Sequence, residues 1–151
     1  MQLERTSLLE APATVVADRM LDPEVMGFLM RPFVIVDPID PPAFPQRWVP
    51  GRYQVKMRLF GRIPLGWQDI IVCDLVNSGE RCGYRDRGSG SLARIWDHRL
   101  LVEACGEGRA RYTDRLEVDA GTMTAMVWLF AQVLFWWRHR RWHALIARMP
   151  A

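Results

Sequence analysis

Lysine and cysteine are scarce in this sequence. It has one lysine, Lys56, against 19 arginines, and three cysteines, Cys73, Cys82 and Cys105, none of them in a Cys-x-x-Cys pair. An odd number of cysteines without paired spacing argues against a disulfide framework and favours a reduced, cytoplasmic compartment. A chain of 151 residues buries enough surface to fold without structural metals. We therefore expect neither a metal nor a cofactor.

A long hydrophobic run is also missing. The most apolar segment, 123–137, has fifteen residues and includes Gln132. As a helix it would rise about 22 Å, short of the roughly 30 Å hydrocarbon core of a bilayer. It is therefore predicted to be a buried helix rather than a transmembrane span. The first residues, Met1 to Arg5, lack a basic-then-apolar signal pattern, so export is not expected.

The charges do not form one basic face. The net charge of +3 comes from arginines scattered along the chain, whereas nucleic-acid binding needs a clustered basic surface. Basic residues are clustered in one segment alone, Arg138 to Arg141. This cluster indicates either a solvated helix end or a site that contacts phosphate or anionic lipid. With half of the residues apolar and a quarter charged, disorder is excluded and one domain, 1–151, is predicted.

Proline, glycine and hydrophobic periodicity divide the chain into elements. A strand is predicted over 2–10, a helix from Ala11 to about Met20, a helical turn capped by Asp22, and a proline-rich loop or edge over 37–50. Five strands follow, over 52–59, 67–76, 81–87, 95–105 and 109–119, with turns at 61–66, 77–80, 88–91 and 106–108. One long helix, capped by Thr122, runs to about Met149. This order predicts an α+β fold with an antiparallel sheet wrapped on the C-terminal helix.

Alternation in the last strands places ionisable residues on the apolar, inward faces. His98 and Asp114 lie on the same faces as Trp96, Leu100 and Leu116, and Asp86 joins them from the preceding strand. A loop at 106–108 sets His98 diagonal to Asp114, whereas a loop at 105–107 sets the two directly opposite. In either register we expect the carboxylate to raise the pKa of His98 and to orient its ring.

These inward residues have two interpretations. Either they are buried polar groups that form hydrogen bonds with one another, or they are the polar residues of an otherwise apolar cavity. In the second case they would orient a ligand or perform acid–base chemistry. The interleaved arginines lie opposite the aromatic rings, which argues against single-stranded nucleic-acid binding. The candidate ligand-binding set is Met57, Trp67, Tyr84, Asp86, Trp96, His98, Leu100, Tyr112, Asp114, Leu116, Met126, Phe130 and Leu134.

The first half of the last helix is apolar nearly all round, with Trp128, Leu129, Phe135 and Trp136 beyond its sheet-facing stripe. This surface needs a second cover. Either the short helices and the proline-rich loop supply it, or a second subunit does, as a homodimer.

The chain resembles the SRPBCC superfamily, which includes START domains, birch-pollen allergens and polyketide cyclases and has a helix-grip fold. The motifs that carry the resemblance are Leu8-Leu9-Glu10-Ala11-Pro12, Tyr84-Arg85-Asp86, Trp96-Asp97-His98, Thr113-Asp114-Arg115-Leu116-Glu117 and Phe135-Trp136-Trp137-Arg138-His139-Arg140-Arg141. One bacterial branch often has a second histidine where this chain has Leu100. That departure weakens a two-histidine catalytic proposal.

The resemblance implies a cavity between the curved sheet and the long helix. The leading hypothesis is binding, transport or sensing of a hydrophobic small molecule or lipid there. The alternative is a cyclase- or dehydratase-like enzyme in which His98 is the base and Asp114 orients it. A third hypothesis is that the apolar first half of the C-terminal helix, together with Arg138 to Arg141, docks on a membrane surface or on a partner protein.

Overall fold

A computed structural model describes residues 1–150. The strands are β1 (Gln2–Leu9), β2 (Val34–Asp40), β3 (Gly51–Leu59), β4 (Ile63–Asn77), β5 (Arg81–Gly90), β6 (Ile95–Ala104) and β7 (Ala110–Asp119). The helices are α1 (Ala13–Met20), α2 (Pro23–Met30) and α3 (Thr124–Ala147), and a 3-10 turn, Gly121–Met123, precedes α3.

The strands form one antiparallel sheet in the order β1-β7-β6-β5-β4-β3-β2. The predicted meander is confirmed as β3 to β7, and β1 adds to its far end beside β7. The sequence pattern does not predict a strand at 34–36, although it allows an edge from 37 onward. The strand there, β2, is an edge, where Pro38 interrupts only an outer row of hydrogen bonds.

Two predicted turns are shorter than expected. The turn at 61–66 ends where β4 begins, at Ile63, and the segment 88–91 continues β5 as far as Gly90. The reason on β5 is close packing: a Cβ built on Gly88 would lie 2.7 Å from the carbonyl oxygen of Asp69 on β4. Gly88 and Gly90 therefore allow close contact between the backbones of β4 and β5 and do not form a flexible turn.

Of the three helices, α2 alone begins with a side-chain capping hydrogen bond within residues 1–150. As predicted, Asp22 caps α2: its carboxylate accepts the backbone N–H of Glu24 at 2.8 Å. Pro23 is the first residue of the helix. The predicted cap of the long helix at Thr122 is wrong, because the N-cap position is Met123 and it makes no side-chain capping hydrogen bond. The hydroxyl of Thr124, the first residue of α3, holds the preceding turn instead: it accepts the N–H of Ala120 at 2.9 Å and donates to the carbonyl of Gly121 at 2.7 Å.

The core lies between one face of the sheet and the three helices. From α3, the inward side chains are Val127, Ala131, Leu134, Phe135, Arg138, His139 and Trp142. From the sheet, the even-numbered residues of β5, β6 and β7 point to the same side, as alternation predicts. Across residues 1–150, none of the helices has the length and apolar character needed to cross a bilayer.

The outer face of the sheet carries cross-strand ion pairs. Arg85 on β5 donates to Asp97 on β6 at 2.8 Å, and Arg58 on β3 donates to Asp37 on β2, also at 2.8 Å. The hydrogen bond from Arg85 lowers the pKa of Asp97. Arg58 and Arg85 are therefore paired within the sheet itself.

Candidate functional site

Asp114 is the centre of a buried polar network between β6, β7 and α3. Its side chain is fully buried and accepts three hydrogen bonds. His98 Nε2 lies 2.7 Å from Oδ1, Tyr112 donates its hydroxyl to Oδ1 at 2.9 Å, and His139 Nε2 lies 3.1 Å from Oδ2. Arg138 Nε adds an ion pair to Oδ2 at 3.6 Å, too long for a hydrogen bond.

The register of β6 and β7 settles the relation between His98 and Asp114. His98 pairs with Leu116, and Leu100 pairs with Asp114, which is the diagonal arrangement set by the loop at 106–108. A diagonal pair on one face of a sheet lies within reach of a histidine side chain. The hydrogen bond between the two side chains follows from that geometry.

The charge state of the pair differs from the sequence expectation. Burial works to raise the pKa of Asp114, but Arg138 and His98 outweigh it and hold that pKa well below its ordinary value. Burial lowers the pKa of His98, and Asp114 only partly offsets this, so the expected rise is wrong. Because the ionised carboxylate can only accept, neutral His98 carries its proton on Nε2 and keeps a lone pair on Nδ1.

Arg138 and His139 are site residues absent from the predicted set. Their dense basic segment suggests a solvated helix end or an anion contact, yet Arg138 and His139 are each only 4% exposed. His139 Nδ1 lies 2.7 Å from the hydroxyl of Ser7 on β1, which ties the first strand to the network. Helical spacing does indicate that these two residues are buried, since Arg138 and His139 lie one turn after the inward-facing Leu134 and Phe135.

A cavity of about 80 Å³ lies beside this network, between α3 and the sheet. Its walls are mainly apolar, and its polar side chains are Gln68, Asp86, His98 and Arg138. The apolar lining comprises Met26, Met30, Val34, Val36, Val55, Met57, Leu65, Ile70, Leu92, Trp96, Val127, Phe130, Leu134 and Phe135.

A second chamber of about 40 Å³ adjoins the first. The two share five lining residues, among them Asp86, His98 and Arg138. Tyr84, Leu100 and Tyr112 complete the sheet side of the second chamber, against Trp142 of α3. The polar groups therefore stand at the junction of two apolar spaces.

Asp86 has an electrostatic environment opposite to that of Asp114. Its register partner is His98, and its Oδ1 accepts the backbone N–H of Ile71 at 2.8 Å. Burial raises the pKa of Asp86 to about 7, because that single hydrogen bond does not offset the lost hydration. Near neutral pH the cavity wall thus holds one carboxyl that readily exchanges a proton.

Most of the predicted ligand-binding residues border these spaces, and four do not. Those at the walls are Met57, Tyr84, Asp86, Trp96, His98, Leu100, Tyr112, Phe130 and Leu134. Asp114 lies behind His98, and Leu116 is buried in the core away from the lining. The expectation that Trp67 and Met126 line the cavity is wrong, since they are 45% and 58% exposed. Gln68 and Val127, their chain neighbours, face inward instead.

No group of three His, Cys, Asp or Glu side chains in residues 1–150 is arranged to hold a metal ion. His98 and His139 each use Nε2 to bind Asp114. The chemistry that the site can perform on its own is recognition by hydrogen bonds and charge, and proton transfer at His98 or Asp86.

Solved structures share this fold at low sequence identity. A protein from Chromobacterium violaceum matches with 16% identity over 96% of both chains and a TM-score of 0.68. The Zhui aromatase/cyclase from a Streptomyces species matches with 13% identity over 98% of this chain and 94% of its own, at a TM-score of 0.65. A START superfamily protein from Mycobacterium smegmatis matches with 13% identity over 99% of both chains, at a TM-score of 0.63.

These likenesses establish an SRPBCC-like, helix-grip fold, in agreement with the resemblance carried by the sequence motifs. Among curated proteins, the sequence finds no significant match. A family model does match, over residues 7–146, so the chain belongs to the family described as Domain of unknown function (DUF8410).

Proposed function

We propose that this protein binds a small hydrophobic molecule between the sheet and α3. The observation that carries the proposal is the apolar cavity with its polar groups gathered at one place, Asp86, His98 and Arg138. Ligand sites in proteins combine apolar walls with a few polar groups that fix orientation. The neighbouring folds, a START superfamily protein and an aromatase/cyclase, are compatible with such a role.

The size of the cavity limits the ligand. About 80 Å³ is smaller than the roughly 150 Å³ cavity that holds a benzene ring, so even a ligand of one aromatic ring requires wall side chains to move. Three methionines, Met26, Met30 and Met57, stand in the wall, and their unbranched side chains change rotamer at little cost. A larger ligand would be admitted by movement of these side chains, which lets the same site serve ligands of different length.

The test uses neutral apolar probes, toluene, indole and 1-octanol, with binding followed by ligand-observed NMR and by calorimetry. We expect binding by the wild type and its loss in Val127→Phe, which fills the cavity from α3. Leu129→Phe is the matched control, because Leu129 lies two residues away on the exposed face of the same helix. Failure of all three probes to bind the wild type would refute the proposal.

A second candidate function, acid–base catalysis of the cyclase or dehydratase kind, is favoured by the state of His98. A neutral imidazole held by an ionised Asp114 can accept a proton on Nδ1. On a poly-β-ketone thioester it would remove a proton from a carbon between two carbonyls. The enolate would form a carbon–carbon bond to another carbonyl, and the resulting alkoxide would take the proton back.

For this candidate, His98→Gln should lower turnover of such a thioester by about 10²-fold or more. Indole binding should persist in the variant, because the apolar wall is intact. Equal turnover by wild type and variant would remove His98 from the chemistry. No turnover by the wild type would leave binding as the function.

Peripheral contact with an anionic membrane surface stays a prediction, and the outer face of α3 supports it. Met126, Leu129, Val133 and Trp136 are exposed along that face, and α3 carries arginines but no acidic residue. We expect flotation with phosphatidylserine-containing vesicles at low salt, weakened by Leu129→Glu. Sedimentation of the free protein as a dimer would point instead to a second subunit on the same face.

A further inference from the structure

We infer that the ligand carries a carboxylate, which Arg138 binds at the junction of the two chambers. This inference rests on the proposed function and names the chemical class of its ligand: an apolar acid, with its hydrocarbon part against the methionine- and valine-rich wall. It starts from the position of Arg138 on α3, where the side chain lines both chambers and is 4% exposed.

The guanidinium of Arg138 has N–H groups that make no hydrogen bond within the part of the chain that the structure describes. Within residues 1–150 its one hydrogen bond to a protein group runs from Nη2 to the hydroxyl of Tyr112, at 3.1 Å. Its Nε is buried without any hydrogen-bond partner. A guanidinium presents five N–H donors in a planar fork, so most of its donor capacity is unused. A buried charged donor without a hydrogen bond is costly, and the ion pair with Asp114 offsets only part of that cost.

The adjacent carboxylate does not fill that need. Asp114 already accepts hydrogen bonds from His98, Tyr112 and His139, and its Oδ2 stands 3.6 Å from Arg138 Nε. It contributes charge to Arg138 without closing a hydrogen bond. Asp114 and Tyr112 therefore hold the Nε and Nη2 side of the guanidinium in place, while Nη1 makes no hydrogen bond within residues 1–150 and is left, with the second N–H of Nη2, for another partner.

A carboxylate is the acceptor that fits this donor set. Its two oxygens match a pair of parallel N–H groups of arginine, in the geometry that gives the strongest hydrogen bonds of this type. An alcohol offers one oxygen and no charge. The remaining walls are methionine, valine, leucine, isoleucine and aromatic side chains, which suit a hydrocarbon body.

The experiment compares each acid with its alcohol by calorimetry: benzoate with benzyl alcohol, and octanoate with 1-octanol. With wild-type protein we expect each acid to bind at least tenfold more tightly than its alcohol. In Arg138→Gln the affinity for the acid should fall to that for the alcohol, while the alcohol binds as before. Arg138→Lys should retain part of the preference, since it keeps the charge but loses the fork.

Arg140→Gln is the matched control, because Arg140 lies two residues further along α3 on its exposed face and stacks on Trp136 at 5.3 Å. It should bind like the wild type. Equal affinity of acid and alcohol for the wild type overturns the inference and leaves the apolar site standing. Binding of neither acid nor alcohol overturns the inference, and the proposed function falls with it if toluene and indole also fail to bind. A preference for the acid that persists unchanged in Arg138→Gln also overturns the inference, because another group would then bind the carboxylate. If Arg138→Gln does not fold, Arg138→Lys tests the same assignment through a reduced preference.

Discussion

At the scale of single residues, one buried carboxylate organises the site. Asp114 connects two strands and α3 because His98, His139 and Arg138 all converge on it. A buried ionised group is tolerated only when it is paired and hydrogen-bonded, and here both conditions are met. The cost of this arrangement appears when any one partner is removed.

Asp114→Asn tests that dependence. The variant leaves the guanidinium of Arg138 buried without a counter-charge, so we expect a loss of about 3–5 kcal/mol in the free energy of unfolding. Urea denaturation followed by far-UV circular dichroism measures it. Glu117→Gln, an exposed position on the same strand, should change stability little. A similar small effect for Asp114→Asn would mean that the network contributes no stability.

At the scale of elements, two glycines have opposite roles. Gly27 lies inside α2, and a Cβ added there would meet nothing within 4 Å. A Cβ on Gly88 would instead stand 2.7 Å from the Asp69 carbonyl oxygen and 3.1 Å from Asp86 Oδ1. At Gly27, the effect of adding a side chain depends on helix propensity alone. At Gly88, an added side chain would disturb the contact between β4 and β5, next to the cavity wall.

Alanine at each position gives opposite results. Gly27→Ala should raise the free energy of unfolding by about 0.5–1 kcal/mol, because alanine restricts the unfolded chain and suits a helix. Gly88→Ala should lower it by about 1–3 kcal/mol, because β4 must move to admit the methyl group. Thermal unfolding of the two variants beside the wild type measures both. Equal shifts in one direction would contradict the opposite roles assigned to the two glycines.

The elements also show what the sequence could predict. Alternation over β5 to β7 places Asp86, His98 and Asp114 inward, because strand period two leaves little choice once one face is apolar. The last turns of α3 are harder: arginine and histidine suggest solvent, and only Asp114, about two dozen residues away in sequence, makes their burial favourable. A contact between residues so far apart depends on the tertiary structure and cannot be predicted from the local sequence pattern.

At the scale of the whole molecule, stability should respond to pH through opposing groups. Asp114, with its lowered pKa, contributes stability that is present above the pKa of an unfolded aspartate, about 4, and is lost in acid. Asp86, with its pKa raised to about 7, does the reverse: the folded state holds its proton more tightly. Stability from Asp86 therefore falls as the pH rises from about 4 to about 7.

Asp86→Asn isolates the second effect. Relative to wild type, the variant should gain stability between about pH 4 and pH 7, by roughly 2–4 kcal/mol in total, because the amide never has to ionise inside the fold. Its side-chain oxygen can still accept the N–H of Ile71. Urea unfolding at several pH values measures the difference. A difference that is independent of pH would show that Asp86 ionises in the folded protein as it does in water.

The pairing of β1 with β7 has a consequence for how a newly made chain reaches this state. Strand β1 is synthesised first, yet its hydrogen-bonding partner is the last strand, and Ser7 meets His139 only once α3 exists. Until β7 has been made, β1 therefore lacks its partner strand, and until α3 has been made, Asp114 lacks its partners Arg138 and His139. Contacts this distant in sequence slow folding, so β1 pairs late and its unpaired backbone groups are open to aggregation until β7 joins it.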